Sequence, residues 1–312
     1  MKTQLKVILI LLIIAVLNQA KAWADSDKTG TTTANFLKIE AGARPTGMGG
    51  AFVAVSDDLN AVYWNPAGLI QLKSREFTAV HTVWLEKIYH DYIAYAVPLK
   101  DKFSYGIHIL YLGTGDIDRR TTAAESDGRA SVADYSLGGS LAWKIRENIS
   151  IGVTIKNVQM NLDKKRGSGF AADIGLLDRV IDNLSVGLML QNFGQKINMA
   201  NTSEDLPTNI KAGVAYRMFS NKLLLAGDFD IPNDRGPKLH VGGEYQLDPM
   251  FNFRAGFEDT GTSGNYSGLT AGITVSEDAI DEVFKVKMRC DYALLYLGDL
   301  GSTHHIALTF SF

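Results

Sequence analysis

Cysteine is nearly missing: Cys290 is the single one in 312 residues, so no intramolecular disulfide can form. Proline is scarce at seven residues, and no low-complexity stretch appears. The thirty glycines therefore do not make a linker, because aromatic and branched aliphatic residues are spread evenly among them. Charge of one sign is also lacking; a net charge of −3 argues against nucleic acid as the main partner. Beyond the opening residues there is no apolar run of about eighteen, which excludes a helical membrane protein. The mean hydropathy of −0.01 would fit a soluble protein. A membrane barrel gives the same value, because lipid-facing and lumen-facing residues alternate and cancel.

The opening itself has the order of a secretory signal. Lys2 and Lys6 precede an apolar stretch from Val7 to Leu17, followed by Ala20-Lys21-Ala22-Trp23-Ala24. Cleavage fits after Ala22 or Ala24, and the apolar core is too short to span a membrane. Residues 1–24 are thus expected to be removed, leaving about 290 residues in an exported compartment without covalent staples.

From Phe77 onward the chain falls into segments with apolar side chains at every second position, the pattern of strands with one greasy face. Ile149, Ile151, Val153 and Ile155 alternate with Ser150, Gly152, Thr154 and Lys156. Leu239, Val241 and Tyr245 alternate with His240, Gly242 and Glu244, and Phe251, Phe253 and Phe257 with Asn252, Arg254 and Glu258. The pattern predicts strands at 76–84, 89–99, 103–112, 132–144, 149–160, 169–177, 184–192, 209–219, 222–231, 238–247, 250–258, 266–275, 284–296 and 303–312. That is about fourteen, an even number, as single-chain bacterial barrels require.

Such barrels pair short turns at one end with longer loops at the other. If the first strand runs outward, the connections at Lys100–Lys102, Ile145–Asn148, Asp178–Asn183, Ser220–Asn221 and Asp248–Pro249 are the short ones. Ser276–Val283 is long for a turn and leaves room for a helical piece. Gly113–Ser131, Asn161–Ser168, Phe193–Thr208, Pro232–Pro237 and Asp259–Asn265 are the longer, polar ones. The reading is all-β: a transmembrane, antiparallel, up-and-down barrel over residues 76–312. Its last strand places Ile306, Leu308, Phe310 and the final Phe312 on one face, the form of a signal for the barrel-assembly machinery.

Residues 25–75 precede the barrel, and 34–75 break this pattern. Ser56 is expected to cap a short helix with Asp57 and Asp58 in its first turn, where the helix dipole favours acids. Asn65 followed by Pro66 reads as a second cap with proline at the first helical position. Gly47-Met48-Gly49-Gly50 could suggest a dinucleotide loop, but Phe52 stands where that pattern needs glycine and no buried strand precedes it.

The motif from Ala41 to Leu69, which includes Arg44, Gly47, Met48, Gly49, Gly50, Asp57, Asp58, Asn60, Asn65, Pro66 and Gly68, resembles the N-terminal motif of the PorV/PorQ family, within the wider FadL-like group of outer-membrane barrels. The resemblance implies that this segment is a hatch inside the lumen and that the protein sits in the bacterial outer membrane. It further implies one of two roles. The first is docking or shuttling of exported proteins in type IX secretion. The second is passive transport of a hydrophobic ligand.

The alternation turns Lys156, Asp173, Lys211, Arg217, Asp228, Asp230, Glu244, Arg254 and Glu258 towards the lumen, together with Lys285, Lys287, Arg289 and Asp291. Both signs are present, so ion-pair networks are expected rather than a single-sign filter. Asp228, Asp230, His240 and Glu244 fall on neighbouring strands and could form an acid-base cluster; a hydrogen-bonded lumen network is the simpler reading. His304 and His305 point to opposite faces, and the histidines show no metal-ligand spacing. Nothing marks a catalytic residue or calls for a cofactor. Trp84, Tyr89, Tyr92, Tyr111, Trp143, Tyr216, Tyr266 and Tyr296 lie near strand ends, where interfacial girdles place aromatics.

Overall fold

The computed structural model describes residues 28–99, 102–115, 117–120, 126–259, 268–281 and 286–312. The expected signal segment, most of the Asp259–Asn265 loop, Tyr266, Phe284 and Lys285 lie outside them.

The strands are β1 (Glu76–Val83), β2 (Ile88–Leu99), β3 (Phe103–Thr114), β4 (Ile117–Arg120), β5 (Ser126–Ala130), β6 (Ala133–Arg146), β7 (Ile149–Leu162), β8 (Lys165–Ile181) and β9 (Leu184–Gly194). They continue with β10 (Ile197–Met199), β11 (Thr202–Glu204), β12 (Asn209–Met218), β13 (Leu223–Pro232), β14 (Lys238–Gln246), β15 (Phe251–Glu258), β16 (Leu269–Asp281), β17 (Val286–Tyr296) and β18 (Ser302–Ser311). Fourteen of them close into one barrel, each paired with its neighbour along the chain, while β4–β5 and β10–β11 are separate hairpins. Closure is made by β1 against β18, antiparallel from Glu76↔Ser311 to Val83↔His304. In hydrocarbon an open edge would leave N–H and C=O groups unpaired, and closure removes it.

The greasy face of each strand points out. Val153, Ile155, Leu239, Val241, Phe253, Ile306 and Leu308 are exposed, whereas Ser150, Thr154, Lys156, His240 and Arg254 on the alternate positions are buried. Tyr89, Tyr111 and Tyr296 are exposed at one rim, and Phe103, Trp143, Tyr216 and Tyr245 at the other, with Phe103 stacked on Trp143. Two expected girdle residues are not part of it. Tyr92 is fully buried and faces Tyr63 inside the lumen, and Trp84 borders an interior cavity.

Turns at the end where β1 begins are short, and the opposite end carries both hairpins. The expected loop Asn161–Ser168 shrinks to Asp163 and Lys164, because β7 and β8 run on to Leu162 and from Lys165. Beyond the membrane both faces of a strand meet water, so polar residues there continue the ladder without the apolar alternation that marks a strand in sequence. Ser276–Asp281 likewise extends β16 through an irregularity in register, where a helical piece was expected.

The interior is filled by residues 28–75. A 3-10 turn (Asn35–Lys38), a helix (Ala43–Gly47), a helix (Ala61–Trp64) and a 3-10 turn (Pro66–Gln71) follow one another there, most of their side chains buried. The wall admits them by close approach. A Cβ on Gly256 would come within 2.5 Å of the Gly49 nitrogen, and one on Gly49, whose φ is +63°, within 2.6 Å of the Phe257 nitrogen. Gly256→Val is therefore expected to unseat the leading segment, read as its rapid proteolysis in a barrel that keeps its heat-modifiable gel shift. Gly139→Val, on an outward position with open space around it, is expected to change neither.

Candidate functional site

Arg44 is the centre of the interior. Its Nε and Nη2 donate to the two oxygens of Glu244 at 2.8 Å each, and Nη1 donates to Asp57 at 2.6 Å and Asp58 at 2.9 Å. The guanidinium also lies 5.3 Å from the Phe52 ring centroid. Arg217 reaches Asp57 at 2.8 Å, and Arg289 reaches Asp58 and Asp291, both at 2.9 Å. Arg254 closes the network through Glu244 at 2.6 Å and Asp291 at 3.2 Å, and it also donates to Thr274. Four guanidiniums and four carboxylates are thus joined, three of the eight from the leading segment and five from the wall.

Asp57 and Asp58 do not serve a helix dipole, contrary to expectation. Ser56 sits at φ +29° and donates its hydroxyl to the Phe52 carbonyl, and the helix begins only at Ala61 after Asn60. The arginines claim both acids instead, while Asn60 donates to Asp58 through its backbone and side-chain nitrogens, each at 2.9 Å. Burial pushes the Asp58 carboxyl up, but Arg44 and Arg289 pull it down further, to about 2. Burial also works against the Arg44 charge, yet Asp57, Glu244 and Asp58 hold its pKa well above the ordinary value.

Asn65 does cap the following turn, its Oδ1 accepting from the Ala67 nitrogen at 3.2 Å. Its Nδ2 donates to Val53 at 2.9 Å within the leading segment and to Leu176 on β8 at 3.1 Å, so the amide ties segment to wall. The Ser150 hydroxyl donates to the Ala67 carbonyl from β7. Pro66 and Gly68 are buried in this turn, and a Cβ on Gly68 would strike the Ser56 carbonyl. Gly47 accepts from Thr270 through its carbonyl, and Met48 is fully buried beneath the wall.

The four residues considered as an acid-base cluster are divided among different partners. Asp228 accepts from the backbone nitrogens of Phe52 and Val53 at 2.7 Å each. Asp230 takes Lys211 and Asn209, both at 2.9 Å, and Glu244 belongs to the arginine network. His240 lies 3.6 Å from Asp230. Lys156 pairs with Asp173 at 2.7 Å away from these groups, and Glu258 faces Lys238 at 3.5 Å. Phe312 donates its backbone N–H to the Arg75 carbonyl with its ring exposed, and Lys287, expected in the lumen, is exposed towards the same end.

Sequence reasoning missed Lys38, Glu40 and Trp64. Lys38 is bound to Asp234 at 2.5 Å, and Trp64 donates to the Ala41 carbonyl while lying under Lys211. A lysine or glutamate outside the motif carries no signal by itself; only strand register reveals its partner. Near the end bearing the hairpins, a cavity of about 450 Å³ opens between the leading segment and the wall, bordered by Lys38, Glu40, Trp64, Lys211, His240 and Glu258.

Removing Arg44 strands four carboxylate contacts, those to Asp58 and Glu244 largely buried, a loss expected to cost about 3–5 kcal/mol. Arg44→Ala is expected to lower the urea midpoint of the protein in detergent and expose the leading segment to protease. Because the folded Asp58 pKa is depressed, its contribution is complete above the ordinary carboxylate range and is lost as pH falls towards about 2. Pepsin is therefore expected to spare residues 28–75 at pH 4 and cleave them only as pH approaches 2. Cleavage already at about pH 5 would contradict this pinning.

A family model described as type IX secretion system protein PorV matches residues 22–224. None of the curated proteins compared with the chain matches it. Among solved structures, the Ralstonia pickettii toluene transporter TbuX shares 12% identity at a TM-score of 0.59, covering 87% of this chain and 97% of its own. The CymD monoaromatic hydrocarbon channel gives 12% and 0.62 over 88% and 98%, and a Pseudomonas aeruginosa FadL homologue gives 11% and 0.60 over 87% and 98%. At such identities the likeness is one of fold: a FadL-like barrel. Because the family model takes in the leading segment, its Arg44 and Asn65 anchors and the wall through β12, the chain belongs to the PorV family of type IX secretion system proteins, barrels of the bacterial outer membrane.

Proposed function

We propose that this barrel docks or shuttles exported proteins in type IX secretion, holding their C-terminal domains at the end that bears the two hairpins, with residues 25–75 as a hatch that keeps the lumen shut. The observation that carries the reading is the arginine network: a solute path through this lumen requires Arg44 to leave Glu244, Asp57 and Asp58 together. A barrel held shut in this way is suited to presenting a surface. That surface has structure of its own in β4–β5 and β10–β11, and Lys196 pairs with Asp205 beside the second hairpin. Outer-membrane lipid surrounds the apolar wall, and the terminal Phe312 is the handle for the barrel-assembly machinery.

The solved relatives named as a toluene transporter and a monoaromatic hydrocarbon channel suggest a second reading, passage of a hydrophobic ligand. The cavity near the hairpins does not decide between the readings by its lining alone: Leu37, Ile39, Trp64 and Leu295 border it beside Lys38 and Lys211, and an apolar solute lying against those charges would strip their water without replacing its hydrogen bonds.

The test is capture in membranes. Photo-crosslinkers at the exposed Asn198 and Ser203, in the β10–β11 hairpin, are expected to trap exported proteins through their C-terminal domains, whereas crosslinkers on the short turn at Phe219 are not. Crosslinking confined to the membrane wall, together with saturable binding of toluene or a fatty acid to the purified protein, would favour the transport reading.

A further inference from the structure

Glu40, His240 and Glu258 come together where the leading segment meets β14 and β15. One donor atom from each lies within 4.8 Å of the others, although the three are far apart in sequence. His240 is 2% exposed, and its Nδ1 is 2.8 Å from the Gly49 carbonyl oxygen. A carbonyl can only accept, so Nδ1 carries the proton and Nε2 is the nitrogen left with a lone pair. Nε2 is buried without a hydrogen-bond partner, with Asp230 Oδ2 standing 3.6 Å from it, and Oε2 of Glu40 is likewise unpartnered. This is the arrangement in which one ring nitrogen is anchored to the backbone and the other is oriented for a metal.

The charges around the cluster are unevenly matched. Lys211 is held by Asp230 at 2.9 Å, and Lys238 stands 3.5 Å from Glu258. Glu40 has no ion pair of that kind, and Gly50 gives it room: a Cβ there would lie 2.2 Å from Oε1 of Glu40 and 2.8 Å from Nδ1 of His240. A buried imidazole lone pair beside an unmatched carboxylate is a costly juxtaposition that a cation resolves.

We propose that Glu40, His240 and Glu258 form a binding site for a divalent transition-metal ion such as Zn2+, entered from the cavity beside the hairpins. One nitrogen and two carboxylate oxygens suit Zn2+ and leave a fourth position towards that cavity for water. Ligand atoms in a zinc site stand closer to one another than 4.8 Å, so binding draws the Glu40 and Glu258 carboxylates inward. Ca2+ and Mg2+ take oxygen ligands and are poorer occupants of a site with an imidazole. The site joins the hatch to two wall strands at a place the arginine network does not reach, and it is independent of the docking role.

The full mature chain, purified in detergent, stripped with a chelator and desalted, is titrated with Zn2+ by calorimetry, with bound metal counted by mass spectrometry. The expected result is about one Zn2+ per chain, with affinity lowered about 100-fold or more in His240→Ala and in Glu40→Gln, each checked for the heat-modifiable shift. The wild-type protein supplies a second readout: Zn2+ is expected to raise its urea midpoint in detergent, and the rise is expected to vanish in His240→Ala. No retained Zn2+, equal affinity in the folded variants, or a urea midpoint that Zn2+ does not move would each overturn the proposal.

Discussion

A closed sheet of fourteen strands encloses more space than its own inward side chains fill, and that space must be occupied either by water or by protein. Here about fifty residues of the same chain occupy it, so the decisive constraint is how a polypeptide without its own sheet is held against a wall. Backbone groups of the segment pair mostly with one another in its turns and short helices, and ties to the wall come from the side chains of Asp228, Ser150 and Thr270, with Asn65 and Trp64 bonding within the segment. The arginine network supplies the rest. It contains equal numbers of both signs, so the carboxylates buried with Arg44 are compensated where they stand and the lumen acquires no strong field of one sign.

Glycine in a strand interior is ordinarily a weakness, because it offers no side chain to pack and costs about 0.5–1 kcal/mol relative to alanine. In this wall the inward glycines lie under the leading segment: Gly152 under the Pro66–Ala67 turn, Gly187 under Val53, and Gly242 with Gly256 under Met48. Each of these strands is bonded on both sides within a closed ladder, so loss of a side chain there does not open an edge. The same positions in a water-filled barrel would gain nothing from glycine. The wall is shaped for its occupant, and the occupant is part of the folded core.

Much of this architecture is legible in the sequence because hydrocarbon imposes a strict period of two. Ile149 to Ile155 and Leu239 to Tyr245 announce their strands, and the strand count follows from repeating that reading. Legibility fails where the solvent changes. Leu162 and Lys165 belong to strands that leave the membrane, and there water relaxes the alternation. Inside the lumen the limit is different. Arg44, Asp57 and Asp58 stand out as a motif, but Glu244, Arg217 and Arg289 become their partners only through the register of β12, β14 and β17. Ser56 followed by two acids has the local form of a helix cap, and local form lost to the stronger pull of buried guanidiniums.

The two ends of the leading segment are held by different physics. Towards the short turns each charge of the arginine network has an opposite charge beside it, and its members confine one another; moving any one of them leaves a partner charge uncompensated. Towards the hairpins the ties are Lys38 with Asp234, Thr32 with Asp234, and the Tyr63 hydroxyl with the Leu37 and Ile39 carbonyls, around a cavity whose polar atoms are incompletely partnered. Asp230, Asp234, Asn209 and His240 each keep a buried atom without a hydrogen bond there. The segment is thus fixed by ion pairs at one end, and by hydrogen bonds around an open cavity at the other.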